Sequence, residues 1–363
     1  MTSLKGQMNL SQAEEQDSPE LFKAFLNLLE QNDELPENIL MFGISGAGKS
    51  SLINTIHKVL TGKYFELAVT GRGATQTLTK ELKRYENCGV KKNWIADSSY
   101  KERIVRMIPK FPNLIDFAGL KNENNNNLRD IIELILGGYI PPNITIEALE
   151  EIQNKYGMEG LKVQYNKQNP SWKVDRIIVT HGCTDLVPKM LLEALKHVLS
   201  LYDSETGKRL YHCRLYLLIT KYDQIIDKDQ TKRKKTYLHE NDCNIETVEK
   251  ELLETLNMEG AFDSKGQRWV NLTDANKHED AQVDRDTLIF LKKLVQPIPK
   301  QEINHDSRGW QTRLHLKLLY FKQNCPDMLS NFHQVLIFLT IVAIVVAVLS
   351  HLADKDPANS AKS

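Results

Sequence analysis

Short apolar runs alternate along the chain with longer stretches in which apolar residues recur at helical spacing. The short runs predict strands, and they are Ile39–Phe42, Leu114–Ile115, Arg176–Thr180 and Leu215–Thr220. The longer stretches predict helices, and they are Ser50–Leu60, Leu128–Leu136, Met190–Tyr202, Ile245–Leu256 and Asp284–Val295. Because strands alternate with helices, we expect an α/β fold with a mostly parallel sheet flanked by helices.

The same pattern divides the chain into segments. Residues 1–17 are polar and are expected to be disordered. A helix-start signal at Ser18 assigns residues 18–37 to an N-terminal helix. Residues 38–299 contain the alternating pattern and are expected to form one globular domain. Residues 300–331 are expected to form a helical connector.

Two polar stretches interrupt the predicted domain. Asn122–Asn127 is almost entirely Asn and predicts a loop, because Asn side chains compete with helical hydrogen bonds. Lys228–Lys235 is a basic run. A solvated surface is the usual interpretation of such a run, and contact with anionic lipid is the alternative.

The segment Phe332–Leu352 differs from the rest of the chain because it contains no Asp, Glu, Lys or Arg. As a helix it would be about 31 Å long, which matches the hydrocarbon thickness of a bilayer. A buried core helix is the alternative, but it would need a surrounding core at the extreme end of the chain. We therefore expect a single-pass tail anchor, with the domain in the cytosol and residues 353–363 in a lumen or intermembrane space. The target membrane stays open.

Composition and charge narrow the class of protein. Lys plus Arg and Asp plus Glu both number 47, so the formal net charge is zero, which argues against a nucleic-acid partner. Hydrophobic residues make up 41% of the chain, which is enough for a core and excludes global disorder. The 5 cysteines are odd in number and form no Cys-x-x-Cys pair, which favours a reducing compartment.

The string GISGAGKS, Gly43–Ser50, lies between a predicted strand and a predicted helix. This phosphate-loop pattern turns backbone N–H groups toward phosphates, and the helix N-terminus adds partial positive charge. We expect Lys49 to reach the β- and γ-phosphates and Ser50 to bind Mg²⁺. A chance Gly-rich turn is the alternative. The predicted nucleotide contacts in this region are Gly43, Ser45, Gly46, Ala47, Gly48, Lys49, Ser50 and Ser51.

A second metal anchor is expected after the next parallel strand. The string LIDFAGL places Asp116 at the end of an apolar run and Gly119 three residues later. Asp116 is expected to hold Mg²⁺, directly or through water, and the Gly119 N–H to sense the γ-phosphate. A Thr between the two motifs is expected to close on Mg²⁺. The candidates are Thr70, Thr75, Thr77 and Thr79, and we favour Thr75, then Thr77. Thr75 is also the one catalytic candidate, and an ordinary Thr-rich edge strand is the alternative.

A third motif selects the base. The string LYLLITKYD puts Thr220, Lys221 and Asp223 directly after a predicted strand. The Asp223 carboxylate would accept hydrogen bonds from a pair of donors on guanine that adenine lacks, and Lys221 would lie across the base. A charged turn is the alternative. Thr220 replaces the more frequent Asn, so we expect a weaker contact with the phosphate loop. Further along, Asn271 is assigned to the segment that contacts the guanine oxygen.

With these motifs, the chain resembles the TRAFAC-type GTPases and, within them, the interferon-induced protein 44 group. The strings that carry the resemblance, over roughly residues 38–297, are GISGAGKSSLINTI, DFAGL, DIIELILGGYIPPN, DRIIVTHGCTD and LLITKYD. The resemblance implies a Ras-like P-loop GTPase domain that binds GTP or GDP with Mg²⁺. It gives Lys49, Ser50, Asp116 and Asp223 the roles described above.

The membrane segment and Leu120 depart from the pattern of such proteins. Leu120 stands where small signalling GTPases have a water-positioning Gln, so we expect slow hydrolysis. His181 is a polar substitute, but a lone His at a strand end is more often structural. We expect a membrane-anchored GTPase that acts as a switch, stimulated by a partner or by a homodimer across the nucleotide face. The alternatives are a membrane scaffold with negligible turnover and an ATPase.

Overall fold

The computed structural model describes residues 18–32, 36–71, 81–117, 119–203, 207–223, 245–272 and 281–297. The sequence predictions that lie outside these residues are the N-terminus 1–17, the basic run Lys228–Lys235, the connector 300–331, the membrane span Phe332–Leu352 and the tail 353–363. Within the described ranges, no helix is long and apolar enough to cross a membrane.

Among the described residues, six strands form one sheet in the order β2-β3-β1-β4-β5-β6. The strands are β1 (Asn38–Phe42), β2 (Lys83–Tyr85), β3 (Asn113–Asp116), β4 (Arg176–Gly182), β5 (Arg214–Thr220) and β6 (Gly266–Arg268). β2 pairs antiparallel with β3, and the other neighbouring pairs are parallel. The prediction of a mostly parallel sheet is confirmed.

The burial of the central strands explains why apolar runs in the sequence predicted them. In β1, Leu40 lies opposite Ile115 of β3 and Ile177 of β4. Every residue of β1 and of β4 is buried, so neither strand alternates between polar and apolar positions. Because β1, β3, β4 and β5 run parallel, the loops that follow them meet at one edge of the sheet, which is where ligands bind in such folds.

Helices flank this sheet. The described α-helices are α1 (Ser18–Gln31), α2 (Lys49–Thr61), α3 (Lys101–Met107), α4 (Asn126–Gly137), α5 (Ile146–Gln164), α6 (Lys189–Leu199), α7 (Ile245–Leu256), α8 (Phe262–Lys265) and α9 (Ala281–Val295). Short 3-10 helices occupy Glu86–Gly89, Lys92–Trp94, Ile108–Lys110 and Pro170–Trp172. α1 packs against α9 and α3, and α4 packs against α5 and α6. The flanking helices bury their apolar faces in this way.

Two differences from the predicted helices have local causes. α5 was not predicted, because Gly157 at φ 67° interrupts it and its buried residues Leu149, Gln153 and Leu161 form no regular apolar stripe. α4 begins inside the Asn stretch that was predicted to be a loop. The side chain of Asn125 caps it by accepting a hydrogen bond of 2.8 Å from a backbone N–H of the first turn.

A buried ion pair stabilises the end of the sheet at which the parallel strands begin, opposite to the loops that follow them. Arg176, the first residue of β4, is fully buried and forms two hydrogen bonds with the Glu37 carboxylate. Its guanidinium also donates to the Tyr216 hydroxyl and to the Gln296 carbonyl, both at 2.7 Å. These contacts satisfy a charge that would otherwise be costly to bury, and they connect β4, β5 and the end of α9.

By their contacts, the described residues divide into two units. The larger unit contains the described residues up to 200 and from 211 to 297, and therefore holds the sheet. The described part of the smaller unit belongs to Leu201–Leu210, where Tyr202 and Arg209 form an antiparallel bridge.

Candidate nucleotide-binding site

The phosphate loop connects β1 to α2, as the sequence predicted. Gly46 and Gly48 have φ values of 77° and 87°, in the left-handed region that favours Gly. A side chain on Gly48 would also come within 2.7 Å of the Asn271 amide nitrogen. α2 begins at Lys49, so its free N–H groups and its positive dipole end face the loop. The loop thus has the left-handed glycines and the adjoining helix N-terminus that the phosphate-loop pattern requires.

Lys49 extends back along this loop. Its Nζ donates to the carbonyls of Gly43 and Ile44 at 3.1 and 2.8 Å, and the residue is only 6% exposed. Burial lowers the pKa of Lys49 to about 8, and the carboxylate of Asp116 opposes this shift. A phosphate would add negative charge beside this buried ammonium, to which the Asp116 carboxylate already contributes.

Ser50 and Asp116 place two oxygen atoms that can serve as metal ligands beside the loop. Asp116 is the last residue of β3 and is buried, and Ser50 lies in the first turn of α2. The Ser50 hydroxyl donates to Asp116 Oδ2 at 2.7 Å. One hydroxyl and one carboxylate suit Mg²⁺, which takes few protein ligands and completes its shell with substrate phosphates and water. The described residues contain no group of three or more His, Cys, Asp or Glu that could hold a metal alone.

Gly119 and Leu120 lie against the phosphate loop. A Cβ on Gly119 would collide with the backbone of Ser45, so Gly is required there. The Leu120 N–H donates to the Gly43 carbonyl at 3.3 Å, and the Leu120 side chain is buried beside Phe117. This position therefore presents a backbone rather than a polar side chain to the site.

Thr220 contacts the phosphate loop despite replacing the more frequent Asn. Its buried Oγ1 lies 2.8 Å from the Ala47 carbonyl and 3.2 Å from the His181 carbonyl. The contact with the phosphate loop is therefore present, and its strength relative to that of an Asn stays a prediction. His181 itself is buried, and its Nε2 lies 3.1 Å from the Asp185 carbonyl, which agrees with the structural role that we preferred for it.

The remaining base-motif residues lie next to Thr220. Lys221 adopts φ 59° and its Nζ lies 3.3 Å from the carboxylate of Asp185. Asp223 is exposed. Asp185 was not among the residues predicted for the site. The sequence signal for Asp185 is a carboxylate in the turn after a central strand. Its pairing with Lys221 is visible only in the three-dimensional structure.

Asn271, assigned from the sequence to the segment that contacts the guanine oxygen, lies beside the phosphate loop. Its Nδ2 is 3.4 Å from the Gly48 carbonyl, and its Oδ1 accepts from the Trp269 indole N–H at 2.8 Å. The next N–H, of Leu272, donates to Thr55 Oγ1 of α2 at 3.0 Å. The segment after β6 is thus fixed to the phosphate-loop helix.

Thr75 and Thr77, the residues that are favoured for closing on Mg²⁺, lie outside the described residues. Thr70 is described, and its hydroxyl donates to the Glu66 carboxylate at 2.9 Å on an exposed surface. The choice of the Mg²⁺-binding Thr therefore stays a prediction. Ser45 is exposed at the loop, and the carbonyl of Ser51 accepts a hydrogen bond from within α2.

Two solved structures with which the chain was compared are distant matches. No protein-family model and no curated protein matches the chain. A dimerization-deficient mutant of Toc33 from Arabidopsis thaliana is 12% identical, over 77% of this chain and 90% of that one, with a TM-score of 0.35. A protein from an oligomerised bacterial dynamin pair is 14% identical over 93% of this chain, with a TM-score of 0.27. This chain covers 51% of that protein.

The assignment of the site therefore depends on its own geometry. A mostly parallel sheet with a phosphate loop between β1 and α2 is the arrangement expected of a P-loop GTPase fold. The narrower resemblance to the interferon-induced protein 44 group stays a prediction.

Proposed function

We propose that this protein binds guanine nucleotide with Mg²⁺ and hydrolyses GTP slowly to GDP and phosphate, acting as a switch. The observation that carries the proposal is the meeting of three motifs at one edge of the sheet. The phosphate loop contacts Thr220 of the base motif through Ala47, and Ser50 contacts Asp116. Motifs that are more than 60 residues apart thus meet where an α/β sheet binds ligands.

Each of these residues has a defined task in phosphoryl transfer. Lys49 and the N-terminus of α2 place positive charge on the phosphates, and the loop N–H groups orient them. Ser50 and Asp116 would hold Mg²⁺, which would supply positive charge to offset the negative charge of the phosphates. Because Leu120 is buried, its side chain orients no attacking water, and this favours slow hydrolysis.

The base motif, Thr220, Lys221 and Asp223, favours the binding of guanine over that of adenine. The exposed Asp223 carboxylate would accept two hydrogen bonds from guanine, whereas adenine would leave it unpaired. Competition of GTP and ATP against a fluorescent guanine nucleotide tests this preference directly. Asp223→Asn should weaken the binding of GTP and strengthen the binding of xanthosine nucleotides, because xanthine has a hydrogen-bond acceptor where guanine has a donor. Asp97→Asn, on an exposed surface with its own ion pair to Lys101, is the matched control.

A nucleotide-binding scaffold with negligible turnover is the second candidate, and the buried Leu120 favours it. Single-turnover hydrolysis of GTP by the full chain with lipid vesicles separates the two functions. Phosphate release above the uncatalysed background supports the GTPase, and release at background supports the scaffold. Repeating the measurement over a range of protein concentrations tests the homodimer, because dimer stimulation makes the rate per molecule rise with concentration.

The membrane part of the proposal concerns Phe332–Leu352, with the GTPase domain in the cytosol. The support is the length and apolar composition of this segment. Resistance to alkaline extraction from cell membranes tests it. Val342→Arg together with Val345→Arg should release the protein, since each Arg at the centre of a span costs about 3 kcal/mol. Conversion of the same positions to Leu is the control. Release of the wild-type chain by alkali would contradict the anchor.

A further inference from the structure

The turn after β4 is connected to the turn after β5 at the base-motif end of the site. The Asp185 N–H donates to the Gly182 carbonyl at 2.9 Å and closes the first turn. The Cys183 N–H donates to the Thr220 carbonyl at 2.9 Å, and the Cys183 thiol donates to the Lys221 carbonyl at 3.0 Å. Cys183 therefore holds the backbone of two consecutive residues of the base motif.

The side chains of the two turns are also paired. Asp185 Oδ2 lies 3.3 Å from Lys221 Nζ, and the two side chains are 28% and 30% exposed. Gly182 provides the space for them, because a Cβ there would collide with the Asp185 carboxylate and lie 3.1 Å from Lys221 Nζ. An ion pair that is partly shielded from water is stronger than one on an open surface.

The backbone of Lys221 needs this support. Its φ of 59° lies in the left-handed region, which non-glycine residues rarely adopt. Such conformations cost of order 1 kcal/mol or more and persist where the surroundings fix them, often at functional sites. The Cys183 thiol on the Lys221 carbonyl is one such fixing contact.

We propose that Asp185 is a positioning residue for base recognition, which holds the Lys221 ammonium so that the Lys221 stem lies across the guanine ring. Cys183 fixes the backbone from which that stem extends. This inference depends on the proposed function, and it extends base recognition from the turn after β5 to the turn after β4. Asp185 acts through Lys221 and does not itself need to touch the nucleotide.

A double-mutant cycle tests the proposal. The affinity of the full chain for a fluorescent GDP is measured for the wild type, Asp185→Ala, Lys221→Ala and the double variant. We expect Asp185→Ala to weaken binding about 5- to 10-fold in the wild-type background and to have no further effect once Lys221 is Ala. The control is Asp97→Ala, which loses a local ion pair outside the site and should leave the affinity unchanged.

Two further substitutions probe the same turn. Gly182→Ala should weaken GDP binding as Asp185→Ala does. The nearest atoms to the added methyl group are the ends of the Asp185 and Lys221 side chains, so the methyl group would push this pair apart. Cys183→Ser keeps a donor for the Lys221 carbonyl and should retain the affinity, whereas Cys183→Ala should lower it. Thermal unfolding without nucleotide shows which variants remain folded, and a purely structural role would not separate Ser from Ala in GDP affinity at equal stability.

The outcomes are distinct. An equal loss from Asp185→Ala in both backgrounds, unchanged GDP affinity, or tighter binding would each overturn the role of Asp185. Failure of the folded wild-type chain to bind GDP would overturn the proposed function instead. A loss that disappears in the Lys221→Ala background supports the inference.

Discussion

Lys49 places a positive charge where little water reaches it, and this has a measurable cost for the nucleotide-free protein. Burial lowers its pKa from 10.5 to about 8, even though the charge of Asp116 acts in the opposite direction. One pKa unit corresponds to about 1.4 kcal/mol, so the protonated side chain costs the folded state about 3 kcal/mol at neutral pH. Nucleotide phosphates would offset that cost, because they stabilise the ammonium form.

The sign of the pH dependence follows from these two pKa values. Between pH 8 and 10.5 the unfolded chain keeps the proton of Lys49 while the folded protein has lost it. The contribution of Lys49 to the free energy of unfolding therefore rises across this window and is at its lowest, constant value below pH 8. From about pH 7 to about pH 9.5, the wild type should gain about 2 kcal/mol of stability relative to Lys49→Met, in which nothing titrates at this position.

Urea unfolding of both chains without nucleotide, followed by tryptophan fluorescence, measures this difference. Comparing the two chains at each pH cancels the titration of all other groups that the substitution does not affect. A stability difference that is the same at both pH values would refute the reasoning. It would show that the loop does not desolvate the Lys49 ammonium.

Other substitutions give equally specific outcomes. Arg176→Met should lower the free energy of unfolding by about 3–5 kcal/mol, because it leaves Glu37 buried without its partner, and chemical unfolding measures the loss. GDP affinity of the folded variant should not change. Leu120→Gln should lower the melting temperature, at a cost of about 1–3 kcal/mol for a buried amide, without raising single-turnover GTP hydrolysis; faster hydrolysis would contradict the buried placement. Gly119→Ala should weaken GDP binding at least about tenfold by displacing the phosphate loop. In the same titration Gly260→Ala should leave GDP affinity unchanged, because its added methyl group meets no atom within 4 Å and the strain at its φ of 71° lies in a turn outside the site.

The parts of the site that are local in sequence could be predicted from it. The phosphate loop needs Gly at fixed positions and Lys at the start of a helix, so its pattern follows from its chemistry. Asp116 and Thr220 could be placed because each ends an apolar run that reads as a buried strand. β1 and β4 were recognisable for the same reason, since both are buried along their whole length.

The features that depend on distant partners could not be predicted. The polar edge strands β2 and β6 are three residues long, and they exist because a neighbouring strand offers hydrogen bonds. The pairing of Asp185 with Lys221 depends on β4 lying beside β5 and on the missing side chain of Gly182. The contact of the Thr220 hydroxyl with the Ala47 carbonyl, at 2.8 Å, likewise depends on the approach of β5 to the phosphate loop.

The most direct test of the central claim is calorimetric titration of the full chain with GDP and with ADP, in the presence of Mg²⁺. Lys49→Ala is titrated in parallel, with Lys101→Ala as a control lysine on an exposed surface. We expect GDP to bind at least about tenfold more tightly than ADP, and its binding to disappear in Lys49→Ala but not in Lys101→Ala. Equal affinity for the two nucleotides, or GDP binding that survives Lys49→Ala, would contradict a guanine-nucleotide site at this edge of the sheet.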